Sequence, residues 1–100
     1  MLYMINHGIS SQDLSIIFDI LRNYQNIYVF GSRIKGTYNT YSDLDICIKQ
    51  KISDYEVESL NEQFTKSDLP FKVDLIIYDK ADKHFKSVID HKSVALSKLQ

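Results

Sequence analysis

The chain of 100 residues is long enough for one domain and one core, burying roughly two-thirds of its unfolded surface or a little less. Basic and acidic residues nearly cancel, 12 against 13, so no basic excess marks a nucleic-acid surface, and only a local patch stays open. Apolar content of 44% with a single Pro argues against disorder. No stretch approaches the ~18 apolar residues of a membrane helix. The N-terminal MLYMINHGISS has neither the charged start nor the long apolar run of a signal peptide. Cys47 stands alone, cannot form an intrachain disulfide, and fits a reducing cytoplasm.

Helical and extended patterns alternate along the chain. Ser10-Ser11 can cap a helix through about Tyr24, with Asp13 in the first turn where negative charge is favoured. Leu14, Ile17, Phe18 and Leu21 fall on one face of it. Gln25-Asn26 breaks the pattern, and Ile27 to Phe30 reads as a short buried strand. Ser32 to about Lys35 is a helical turn ending at Gly36, and the polar stretch Thr37 to Ser42 is a loop. Leu44 to Ile48 is the second strand. Ser53 and Glu56 form a capping box for a helix with Val57, Leu60 and Phe64 inward, ended by Asp68-Leu69-Pro70. Phe71 to Tyr78, FKVDLIIY, is the third strand. Asp79 to Asp82 turns into a last helix with Phe85, Val88 and Ile89 inward, and Val94-Ala95-Leu96 is a short terminal strand. The capped helix between strands two and three makes a parallel crossover the default. There is no repeat, low-complexity segment or linker, so residues 1–100 read as one α+β domain with helices packed on a small mixed sheet.

The chemistry concentrates in Gly31 to Ile48, GSRIKGTYNTYSDLDICI. A Gly-Ser turn follows an apolar strand and opens a helical turn, which offers backbone N–H groups to an anion. Ten residues separate Ser32 from Asp43, and Asp45 follows one residue further on. Alternate strand residues share a face, so the two carboxylates project together and repel unless a cation sits between them. Oxygen ligands favour Mg²⁺ or Mn²⁺. Asp74 lies inside the apolar third strand, where a carboxylate is costly unless paired or metal-bound. Parallel strands bring Asp74 beside Asp43 and Asp45, and the short connection brings Gly31-Ser32 to the same sheet edge. Arg33 and Lys35 flank the turn as cations within reach of phosphate.

Gly-Ser, ten residues, Asp-x-Asp, then a distant Asp in an apolar strand resembles the nucleotidyltransferase superfamily of polymerase-beta type. The short chain resembles its minimal nucleotidyltransferase (MNT) domain proteins, and SDLPFKVDLI resembles the bacterial two-component members. The resemblance runs from the first helix to Ile89, with every matched motif position intact. It implies the nucleotidyltransferase fold and transfer of an NMP, first among them AMP from ATP, to a hydroxyl acceptor. It implies that Gly31 and Ser32 grip the triphosphate, that Asp43 and Asp45 bind two Mg²⁺ ions, and that Asp74 holds the ion on the nucleophile side. A small helical partner, of HEPN or substrate-binding type, completes such complexes. Some relatives are antitoxins that transfer AMP to a toxin. A nucleotide-binding regulatory module with little turnover is a third reading.

The remaining side chains have plainer readings. His7, His84 and His91 show no ligand spacing, and packing or solvent accounts for them. Cys47 shares the face of the aspartates and reads as a small buried hydrophobe. Tyr38 and Tyr41 fill the loop or line a partner surface. With no acceptor-binding lobe in the chain, an apolar patch for a homo- or hetero-oligomeric partner is expected around Val94-Ala95-Leu96, Phe85, Ile89, Tyr38 and Tyr41.

Overall fold

The structure, a computed structural model, describes residues 6–100. Residues 1–5, part of the stretch read above as no signal peptide, lie outside the described residues. Helix α1 spans Ser11–Ile20 and begins where the Ser10 hydroxyl accepts from the Asp13 N–H at 3.1 Å. It stops short of the expected Tyr24. Leu21 caps it, and the Tyr24 N–H turns back to the Leu21 carbonyl. That turn leaves the Tyr24 hydroxyl to donate to Glu56 at 3.1 Å.

Strand β1 (Ile27–Phe30), the helical turn α2 (Ser32–Lys35), β2 (Leu44–Ile48), α3 (Asp54–Lys66) and β3 (Val73–Ile77) follow in order. Helix α4 (Lys83–Lys92), a two-residue strand β4 (Val94–Ala95) and a 3₁₀ helix (Leu96–Leu99) complete the fold, so the terminal strand stops before the expected Leu96. The third strand is shorter than its apolar pattern at both ends: Phe71 and Lys72 precede it, and Tyr78 enters a 3₁₀ turn, Tyr78–Lys80. Both halves of the expected capping box form at α3. Ser53 Oγ accepts from the Glu56 N–H, and Glu56 accepts from the Ser53 N–H, each at 3.1 Å. A cap of this kind stabilises by about 1 kcal/mol.

The sheet order is β3-β2-β1-β4. β2 and β3 run parallel with α3 as the crossover, and β1 is antiparallel to β2 and β4. Period-two alternation gives the sheet two different faces. Leu44, Ile46 and Ile48 are fully buried on one face, in the core formed with Leu14 and Ile17 of α1 and Leu60 and Phe64 of α3. Each fully buried Leu or Ile contributes about 1.5–3 kcal/mol. Leu60→Ala should therefore cost about 2–5 kcal/mol, cavity included. On the other face Phe30 and Cys47 pack with Ile89 of α4. That second face, at its open end, carries Asp45. No helix among the described residues is long and apolar enough to cross a membrane.

Candidate active site

Strand register builds the site. Phe30 pairs with Asp45 across β1 and β2, and Asp45 pairs with Asp74 across β2 and β3. Neighbouring strands lie about 4.8 Å apart, so Asp45 and Asp74 are side by side. Asp43 precedes β2 by one residue and is exposed at the same edge. The three carboxylates singled out from sequence therefore share one end of the sheet. The Asp45 carboxyl is pushed above its ordinary range, first by burial, then by the charges of Asp74 and Asp43, with Lys35 opposing. Asp74 is less costly than its apolar neighbours suggest. It sits on the outer strand with its side chain 43% exposed, and Lys72 lies 3.5 Å away.

Gly31 caps α2 at φ 82° and ψ −157°. A Cβ at Gly31 would collide with the Asp45 carboxylate. Glycine is required twice over, by the positive φ and by this close approach. Ser32 opens α2 and is half-buried, and Gly36 closes it in the left-handed region with its N–H on the Ser32 carbonyl. Lys35 is exposed on the same turn. The Gly31-Ser32 turn and the Asp45 carboxylate are thus in direct contact.

Arg33 departs from expectation. It is 1% exposed, with its guanidinium committed to backbone carbonyls rather than turned to a ligand. Nη1 donates to His7 O at 2.9 Å, and Nη2 to Ser42 O at 2.9 Å and Thr40 O at 3.2 Å. Nε donates to Ser42 O at 3.2 Å. The Phe71 and Tyr38 rings lie 4.4 and 5.5 Å from the guanidinium carbon. Burial pulls the Arg33 pKa down, with Tyr38 and Asp13 opposing. The assignment of Arg33 to phosphate is corrected accordingly. Nothing in the local sequence separates Arg33 from Lys35, because only the tertiary fold brings Phe71 and His7 to it.

The other candidates fall into place around this cluster. Tyr38 packs beside Arg33 and donates to Asn6 at 2.7 Å. Tyr41 is 72% exposed on the loop before Asp43. Phe85 is exposed, but Ile89 and Leu96 turn inward, so the expected apolar patch narrows at those positions. His7 packs in the interior, with Nδ1 accepting from the Ile9 N–H at 3.0 Å and Nε2 within 2.9 Å of Leu99 O. An open groove of about 510 Å³ runs along β3, with Phe71, Leu69, Lys72 and Asp74 in its lining.

Among the described residues, no three His, Cys, Asp or Glu side chains already converge on a point that would hold an ion. The donor set still fits a divalent cation. Hard carboxylate oxygens line one edge, and the mutual repulsion felt by Asp45 is what a cation relieves.

A glycine turn pressed against paired aspartates at the end of a mixed, helix-covered sheet defines a nucleotidyltransferase-type domain. The family profile described as polymerase beta, nucleotidyltransferase, matches residues 12–98, and the chain belongs to that family. It is 35% identical over 86 residues to the "Probable protein adenylyltransferase MntA" of Haemophilus influenzae, covering 81% of this chain and 75% of that protein. The fold is also similar to the crystal structure of a toxin–antitoxin with AMP-PNP. That match has a TM-score of 0.67 and 24% identity, covering 84% of this chain and 72% of the other.

Proposed function

We propose that this chain transfers an adenylyl group from ATP to a hydroxyl of a small helical partner protein. The observation that carries the reading is the contact of Gly31 with Asp45 in a row with Asp74. The Gly31-Ser32 turn against a carboxylate edge supports a triphosphate held beside divalent ions. In the reaction, the acceptor oxygen bonds the α-phosphorus, the α–β bridging bond breaks, and pyrophosphate leaves. The acceptor proton passes to the Asp74 carboxylate and then to solvent. Ser32 Oγ and the N–H groups following Gly31 hold the β- and γ-phosphates, with Lys35 beside them. Asp43, Asp45 and Asp74 would hold two Mg²⁺ or Mn²⁺ ions. When bound, such ions neutralise the departing pyrophosphate and acidify the acceptor hydroxyl.

A protein acceptor is supported by the similarity to the probable protein adenylyltransferase of Haemophilus influenzae. The same similarity, with the toxin–antitoxin fold neighbour, makes an antitoxin that adenylylates its toxin the second reading. The test is incubation with Mg²⁺, each NTP in turn, and any small helical protein found to co-purify with the chain. A nucleotidyl mass increment on that protein, with ATP preferred, supports the proposal. A modified small molecule and an unmodified partner would redirect it to a free acceptor. Nucleotide binding with no product would leave a regulatory module.

A further inference from the structure

We propose that Arg33 is a positioning residue that fixes the peptide entering Asp43 against the Gly31-Ser32 turn; this rests on the nucleotidyl-transfer reading above. A guanidinium 1% exposed is costly unless every donor finds a partner. Among the described residues no carboxylate lies within ion-pair distance of Arg33. Its compensation comes from carbonyl oxygens instead, and their placement is directional. Three of its four bonds go to the end of the 37–42 loop, two to Ser42 O and one to Thr40 O. The Ser42 carbonyl belongs to the peptide group whose N–H is that of Asp43.

The loop is first closed on itself. The Ser42 N–H donates to Asn39 O at 3.1 Å, and Ser42 Oγ accepts from the Asn39 N–H at 2.8 Å. Arg33 then ties this closed turn to α2, the turn that carries Ser32. Phe71, stacked on the guanidinium, precedes Asp74 by three residues. One side chain therefore touches the phosphate turn's helix, the lead into Asp43 and the lead into β3. A lysine keeps the charge but cannot donate in a planar fork to one oxygen while lying flat against a ring.

The proposal is tested with Arg33→Lys, Phe71→Leu and Arg33→Ala, compared with the parent in its complex below the melting transition. Three quantities are read: Mn²⁺ affinity by electron paramagnetic resonance, amide exchange across residues 37–45, and kcat and KM for ATP. Arg33→Lys should weaken Mn²⁺ about 10- to 100-fold, as loss of an orienting partner does. Exchange should rise over the loop, and kcat should fall more than KM rises. Phe71→Leu should shift Mn²⁺ affinity in the same direction by less, which keeps the test alive if Arg33→Lys folds poorly. Low-millimolar methylguanidinium should restore part of the Mn²⁺ affinity to Arg33→Ala. Faster loop exchange with parental Mn²⁺ affinity and parental kcat would overturn the positioning role. If the parent itself shows no Mn²⁺ binding sensitive to Asp45→Asn, the metal-dependent transfer reading fails instead.

Discussion

The Asp45 carboxylate occupies the space that a side chain at Gly31 would need. Gly31 follows the end of β1 and Asp45 lies near the start of β2, so a side chain added at Gly31 must displace the carboxylate. Gly31→Ala combines a strained φ of 82° with that collision. It should destabilise the chain by about 1–3 kcal/mol through backbone strain. It should also displace Asp45, so transfer should be lost even where the protein remains folded. Thermal unfolding alongside a transfer assay checks both, and an active, undisturbed Gly31→Ala protein would refute the contact.

Asp45→Asn should abolish divalent-ion binding and transfer while raising the stability of the metal-free protein. The sign follows from the raised carboxyl. Its folded form holds a proton above the ordinary value of 3.8, so ionisation on folding is unfavourable. The parent loses stability as pH rises from the unfolded value through the folded one, and Asn removes that loss. In EDTA the melting temperature of Asp45→Asn should exceed the parent's at neutral pH, and the gap should close in acid. A gap that widens in acid would mean that Asp45 is stabilised as an anion.

Ser32→Ala separates phosphate from metal. In the proposed reaction its hydroxyl holds phosphate oxygens and not the ions. One neutral hydrogen bond contributes about 0.5–1.5 kcal/mol, so kcat/KM for ATP should fall roughly tenfold or less. Mn²⁺ affinity should stay parental. An equal loss in both would place Ser32 among the metal ligands.

Much of this site was legible because strand alternation and chain connectivity are short-range rules. Asp43 and Asp45 are two residues apart, and the capping box at Ser53 announces the crossover that carries Asp74 alongside. The register of Asp45 with Asp74 follows from a parallel pair whose carboxylates both lie near the strand starts. Arg33 was not legible, because its surroundings come from His7, Thr40, Ser42 and Phe71, segments that meet only when folded. The end of α1 was misplaced for a similar reason. The apolar face runs on to Leu21, but the backbone turns there and Tyr24 bonds to Glu56 of a distant helix. Asp74 seemed a core carboxylate because sequence does not say which strand is outermost.

Cys47 gives an independent check on the covered face. It is fully buried, and burial pushes its thiol up to about 11. The native chain should resist thiol reagents at neutral pH and react only as it unfolds. Labelling measured against denaturant should therefore track the unfolding transition. Rapid labelling of the folded protein would mean that α4 does not stay over β2.

The central claim is cleavage between the α- and β-phosphates at the edge formed by Gly31, Asp45 and Asp74. The direct measurement follows ATP labelled separately at the α- and γ-phosphorus, with Mg²⁺ and the co-purifying protein, in the parent and in Asp45→Asn. The parent should retain the α-label covalently on the acceptor and release the γ-label as pyrophosphate. Asp45→Asn should do neither. Release of the γ-label as orthophosphate with no α-label on any acceptor, or equal transfer by Asp45→Asn, would contradict the account.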